Sequence, residues 1–349
     1  MYIFILLYSI IFLFCIERYK NSYKISFIPI ILLFIISSLQ YMVGSDYMSY
    51  IHIYETGDKI DKFFSDYEFI FVFMVLFLKS FDANAQFIFV GISFLNMLLL
   101  YFFMRKCSKI GMRVWLIFLL FYVVTGIYHN QMNGLRQYLA IFSMPLIVFY
   151  LMEHKKVKSI FFILYGAFSH QSFLLFLPYL LICKFKMLYK YSFIIFVITF
   201  FFYKYIIPIS ITEVLSYSAV YTSYLERSEE TSLLSLLTKI YYLPLIMYFY
   251  YLYTFKKRIK INNDIQKSFI LIFSSTYWMF LMAEEINILG RMSQYSNYFF
   301  IFPIYFLLNY LISIKRNIEV FFILLYLILP YLLKVTVFAK SEYLYNWIL

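Results

Sequence analysis

Apolar runs recur along this chain almost without a break, and each approaches the ~20 residues that a helix needs to cross a bilayer. They lie near residues 2–16, 25–40, 85–104, 112–128, 135–152, 158–168, 171–183, 190–207, 233–253, 266–283, 293–312 and 318–335. With 64% hydrophobic residues and a mean hydropathy of +0.80, the chain holds more apolar surface than a soluble core can bury. Backbone polar groups in hydrocarbon must be satisfied within their own segment, so runs of this kind form helices. The expectation is an all-α, polytopic integral membrane protein of about 12 transmembrane helices, some short or re-entrant. No polar stretch exceeds roughly 25 residues, too few to fold alone, so residues 1–349 are expected to form a single membrane-embedded domain. Residues 3–16 have no positive n-region before them and no small-residue cleavage site, and are taken as the first span.

Charge sets the expected orientation. Of the 30 basic residues, 20 fall in six loops: Arg18/Lys20/Lys24, Arg105/Lys106/Lys109/Arg113, Lys155/Lys156/Lys158, Lys184/Lys186/Lys190, Lys256/Lys257/Arg258/Lys260/Lys267 and Lys315/Arg316. The positive-inside bias puts these in the cytoplasm. The acids concentrate in the intervening loops, at about 41–84, 208–232 and 284–292, which are then external. Under this topology both termini lie outside, and residues 67–82 cannot form a full span. The run 159–183 has basic loops at both ends, so it is expected to be two short helices meeting at Ser169-His170-Gln171-Ser172; the alternative is one tilted span. Loop bias also accounts for the net charge of +12, so nucleic acid is not expected as a partner. Cys15, Cys107 and Cys183 are widely spaced and show no metal-ligand pattern. There is no nucleotide-binding glycine loop and no serine elbow, so neither a cofactor nor a metal is called for. In the segment 208–232, Tyr217, Tyr221 and Tyr224 share a helical face. That face suits an interfacial aromatic helix or, alternatively, a lid that stacks on sugars.

Four polar clusters interrupt the oil: Gly44-Ser45-Asp46-Tyr47 with Tyr50, Asn133-Gly134-Leu135-Arg136-Gln137, Ser169-His170-Gln171-Ser172, and Gly290-Arg291-Met292. In the expected topology all four face outside. Arg136 and Arg291 are candidates for binding a diphosphate, since a guanidinium stays charged and binds phosphate bidentately; snorkelling to lipid phosphates is the plainer alternative. Asn133 and Gln137 add polarity beyond what snorkelling needs. Asp46 is a candidate general base toward a sugar hydroxyl, or an N-cap of a helix starting at Tyr47. Glu68 is a possible second carboxylate or an ordinary first-turn acid. His170, of a residue type whose unperturbed pKa lies near neutrality, is the second candidate base, or a satisfied structural residue.

In this order the clusters resemble the EpsG-type, Wzy-like family of bacterial exopolysaccharide-biosynthesis proteins. Val43-Gly44-Ser45-Asp46-Tyr47 with Tyr50 is similar to that family's Val-Gly-Thr-Asp-Tyr motif and the tyrosine three residues on. Asn133, Arg136, Gln137 and Ala140 are similar to its Asn-x-x-Arg-Gln motif, Phe168 to Ser172 to its Phe-x-His-x-Ser motif, and Arg291 with Tyr295 to its Arg-x-x-x-Tyr motif. One departure stands at Gln40, where many members carry an arginine. The resemblance implies polymerisation of polyprenyl-diphosphate-linked oligosaccharide repeat units into surface polysaccharide (capsule, exopolysaccharide or O-antigen), on the outer face of the cytoplasmic membrane. It implies Asp46 and His170 as catalytic residues, and Arg136, Arg291, Asn133, Gln137, Tyr47, Tyr50 and Tyr295 as substrate-binding. The implied partners are the lipid-linked oligosaccharide, the bilayer and other polysaccharide-assembly membrane proteins. Two other functions fit the composition: a glycosyltransferase adding one sugar from a polyprenyl-phosphate donor, with Asp46, Asp58, Asp61 and Asp66 as its acidic loop, and a flippase for the lipid-linked unit.

Overall fold

The computed structural model describes residues 1–17, 27–207, 240–284 and 287–346; for residues 283, 284, 287–291 and 341 it describes the backbone alone. The expected basic loop at Arg18/Lys20/Lys24 and the tyrosine-rich segment 208–232 lie outside these residues. Among the described residues the chain is helical, with no strand. Five helical stretches are long and apolar enough to cross a membrane: Gln86–Lys109, Leu135–Met152, Lys186–Ile206, Met292–Ser313 and Asn317–Thr336. Six further apolar helices are shorter, from 10 to 17 residues. An 11-residue helix rises only about 16 Å, half the hydrocarbon thickness, so among the described residues five stretches, not 12, meet the length of a span. Phe69–Lys79 is one of the short helices, as the charge argument required.

Contacts divide the chain into two compact units, residues 1–174 with 325–349 and residues 175–324. The first unit holds α1 (Tyr2–Glu17), α2 (Phe27–Ser38), α3 (Tyr47–Thr56), α4 (Ile60–Ser65), α5 (Phe69–Lys79), α6 (Gln86–Lys109), α7 (Val114–Val124), α8 (Ile127–Asn130), α9 (Leu135–Met152) and α10 (Lys156–Ser169). All 11 residues of α7 are buried, which makes it the interior helix of the unit. The apolar run continues past it to Tyr128, but the helix stops at Thr125. There Gly126 takes φ +67, and the Thr125 hydroxyl accepts from the Ile127 N–H. An expected span over 112–128 is therefore two pieces. Helices α9 and α10 form an antiparallel hairpin that turns at Glu153–Lys155. Glu153 there pairs with Lys106 at 2.6 Å and Lys155 at 2.8 Å, so two of the basic loops share one end of the unit. The first residue of α9 and the last of α10 lie at the opposite end, roughly 25 Å away by helical rise.

The second unit holds most of α11 (Phe173–Leu181), then α12 (Ser192–Phe201), α13 (Leu243–Tyr250), α14 (Asp264–Thr276), α15 (Asn287–Ser296) and α16 (Ile301–Ser313). Helix α17 (Asn317–Thr336) begins in this unit and ends in the first. Tyr250 donates to or accepts from Ser274 at 2.7 Å, and Phe269 stacks on Phe302 at 4.0 Å, tying α13, α14 and α16 into one core. One expectation is corrected here. Gly290-Arg291-Met292 lies on α15, not in a loop. One glycine costs a helix interior only about 1 kcal/mol, and the residues around it carry no proline.

Candidate functional site

The acidic segment 41–84 folds over the end of the first unit as α3, α4 and α5. Tyr47, Tyr50, Ile53 and Tyr54 recur on one face of α3 and pack with Phe63, Phe71, Phe89, Leu135 and Leu139. This aromatic floor brings three of the four polar clusters together. Arg136, in the first turn of α9, lays its guanidinium over the Phe63 ring at 4.0 Å. It is ion-paired with Glu68 through a close Nη1–Oε2 contact and interacts electrostatically with the Tyr50 hydroxyl. The Glu68 side chain is 2% exposed and that of Arg136 22%. Burial pushes the Glu68 carboxyl above its ordinary range, while the Arg136 charge pulls it back down.

Glu68 is aimed inward by its backbone. Tyr67 takes φ 61, strained for an aromatic residue, and Glu68 then stands at the N-terminus of α5. Its other oxygen lies 3.8 Å from His170 Nε2, and the Gln171 backbone also favours the charged carboxylate. His170 sits where the chain breaks between α10 and α11, in extended backbone (φ −161, ψ 127). The two-helix expectation for 159–183 thus holds, with the break at the predicted cluster. Gly166 permits the sharp return, since a Cβ there would meet the Phe173 ring at 2.8 Å. The Ser172 N–H donates to His170 Nδ1 at 3.2 Å, and the Ser172 hydroxyl lies 2.8 Å from the same nitrogen. A neutral ring therefore carries its proton on Nε2, toward Glu68.

Asp46 is exposed at the start of α3, one helical turn from Tyr50, and acts on the Tyr50 hydroxyl electrostatically. Its side chain makes no capping bond, so the N-cap alternative is not what fixes it. Instead the loop is clamped to the second cluster: the Asp46 N–H donates to Asn133 Oδ1 at 2.9 Å, and the Ser45 hydroxyl at 3.3 Å. Gly44, at φ +80, lets Asn133 approach; a Cβ there would lie 2.6 Å from Asn133 Oδ1. Tyr47 is buried, stacked on Phe89, and donates to Gln86 Oε1 at 2.8 Å. Gln86 in turn donates to the carbonyls of Ser38 and Gln40, which fixes the exit of α2. Gln137 is buried next to Arg136 in sequence. Tyr295 is buried in the second unit, stacked on Phe176, and the Arg291 side chain lies outside the described residues. Asp46, Asp58, Asp61 and Asp66 do not gather into a ligand set: among the described residues, no group of three or more His, Cys, Asp or Glu is disposed to hold a metal.

The sequence understates two members of this site. Glu68 read as a secondary acid, and Gln86 was not singled out. The signal for Glu68 was its place at the edge of an apolar run too short to span. The family model described as EpsG family matches residues 23–348. No curated protein matches the chain, and no solved structure does.

Proposed function

The chain belongs to the EpsG family, and from that premise we propose that it polymerises polyprenyl-diphosphate-linked oligosaccharide units on the outer face of the bacterial cytoplasmic membrane. One observation carries the reading: three separate motifs meet around a single arginine–carboxylate pair, at the end of α9 and α10 opposite their basic loops. A diphosphate is the ligand that a guanidinium held on an aromatic floor suits best. In the proposed reaction an acceptor hydroxyl attacks the anomeric carbon of the growing glycan. The bond from that carbon to the diphosphate oxygen breaks, and its electron pair leaves with the polyprenyl diphosphate. Arg136 stabilises the charge that develops there. The acceptor proton passes to Asp46, the exposed carboxylate beside Tyr50. Glu68, His170 and Tyr50 hold the arginine in place, and Asn133 holds the loop that carries Asp46. Arg291 and Tyr295, on the second unit, are assigned to the substrate by the family motif alone.

The test is the glycan profile of a deletion strain complemented with variants. A complete single repeat unit should accumulate on its lipid while long polymer disappears, and Arg136→Ala should not restore polymer. Unchanged polymer length and yield, with the Arg136→Ala protein present in the membrane, would sink the proposal. So would accumulation of a unit lacking one sugar, which would indicate a single-addition glycosyltransferase.

A further inference from the structure

In the second unit, two basic loops close on a hollow of about 470 Å³. It is lined by Lys186, Lys190 and Lys267, the rings of Tyr189 and Tyr253, and Asp264. Asp264 is the one acid in the lining. It bridges two of the lysines, at 2.7 Å to Lys186 and 3.4 Å to Lys267. The lining keeps an excess of positive charge, and Lys190 contributes a cation that this acid does not hold. The remaining lining residue, Met187, is 80% exposed, and Phe185 beside it is 62% exposed. From Lys190 the chain runs into α12, where Tyr191, just before the helix, and Ile194, Ile198 and Phe201 on it form an exposed stripe at helical spacing. A basic hollow thus opens at the head of an apolar track.

We propose that this hollow binds the phosphate headgroup of an anionic phospholipid, with its acyl chains along the α12 stripe. The charge alone would suit any phosphate. The apolar stripe selects a lipid, because it starts at Tyr191, whose ring centroid lies 4.6 Å from the Lys190 ammonium, and a free phosphate leaves that surface uncovered. The loops involved are those that the charge bias puts in the cytoplasm, where the leaflet is anionic and each nearby lysine contributes appreciably to attraction. The site shares no residue with the Arg136 cluster, so it is independent of the polymerase reading.

The test uses the full-length protein in detergent, offered phosphatidylglycerol and phosphatidylcholine of matched acyl chains, with bound lipid counted by native mass spectrometry. Wild type should retain phosphatidylglycerol preferentially, and K190Q/K267Q should lose that preference by about 30-fold, roughly fivefold per lysine. Lys109→Gln, which removes a charge from a different basic loop, should keep it. Equal retention of the two lipids by wild type would overturn the proposal, as would an equal loss in Lys109→Gln. Deacylated glycerophosphoglycerol competing as well as the intact lipid would also overturn it, since the track would then contribute nothing.

Discussion

Replacing Glu68 by Gln tests the centre of the site most directly. The substitution keeps the shape and one acceptor oxygen but removes the charge that faces Arg136. Removing one partner of a fully buried ion pair costs about 3–5 kcal/mol. Arg136 is 22% exposed and keeps the Tyr50 hydroxyl and the Phe63 ring. These reduce the expected cost to roughly 2 kcal/mol, or about 4–8 °C in melting temperature on the scale of domains of ~150–250 residues. Removing Arg136 instead, as Arg136→Gln, leaves a buried carboxylate with no cation. Burial alone then raises the Glu68 pKa further, because Arg136 was the pull in the other direction. A carboxyl whose folded pKa is raised favours folding at pH below its unfolded value, and that stability is lost as pH rises through the folded value. Arg136→Gln is therefore expected to lose more stability at pH 8 than at pH 5, while Glu68→Gln is expected to show no such dependence. E68Q/R136Q buries no charge and should be more stable at pH 8 than Arg136→Gln alone. The assay is thermal unfolding of the detergent-purified protein across pH for all four chains. Additive single effects, or Glu68→Gln melting with wild type, would refute the coupling on which the site is built.

Gly44→Ala should sharply reduce polymer yield at unchanged protein level, because its Cβ drives into Asn133 and releases the loop that carries Asp46. Gly57→Ala is the control: it takes the same left-handed strain, about 1–2 kcal/mol, at a position where only Lys79 Nζ comes near; it should retain polymer, measured on the same glycan gels. The C-terminal segment should matter to the same loop. The Tyr41 N–H donates to the Asn346 carbonyl at 3.0 Å, the Tyr345 hydroxyl donates to the Ile36 carbonyl at 2.6 Å, and the Tyr343 ring lies 4.6 Å from that of His129. A chain ending at Lys340 should reach the membrane but make little polymer. Tyr345→Phe alone, losing one hydrogen bond of about 1 kcal/mol, should leave polymer length unchanged.

What the sequence reveals here depends on how local the cause is. Residues 135–152 were legible as a helix because Gly134 precedes the run and the basic turn follows it, and the helix has those bounds. The break at His170 was legible because two basic loops cannot flank one crossing. Gly126 shows the opposite case. Apolar residues continue through Tyr128, so periodicity gives no stop, and the break comes from a left-handed glycine and the Thr125 hydroxyl. The partnership of Glu68 with Arg136 has no local sign at all. Taken alone, Glu68 is an acid at the start of a short apolar helix, a favourable place for any carboxylate. The left-handed turn at Tyr67, together with the packing of α4 and α5 that sets Phe63 and Phe71 beneath the guanidinium, turns that acid inward.

That packing also separates the two candidate bases. His170 Nδ1 already accepts the Ser172 N–H, and its Nε2 faces Glu68. A neutral imidazole placed this way donates toward a carboxylate and has no unoccupied lone pair aimed at an incoming hydroxyl. Asp46 is the opposite: exposed, without a capping role, and set one turn from the Tyr50 that holds the arginine. If Asp46 takes the acceptor proton, Asp46→Asn should lower the polymerisation rate by about 10²- to 10⁴-fold, the usual contribution of a general base. It should do so without changing how tightly the lipid-linked unit binds. His170→Gln keeps a donor toward Glu68 and should cost far less, with the loss appearing in substrate affinity because the arginine is less firmly held. The comparison is made by single-turnover rates in proteoliposomes loaded with the lipid-linked unit. If His170→Gln instead abolishes turnover while Asp46→Asn is tolerated, the histidine must turn its ring away from Ser172 in the working state, and the assignment reverses.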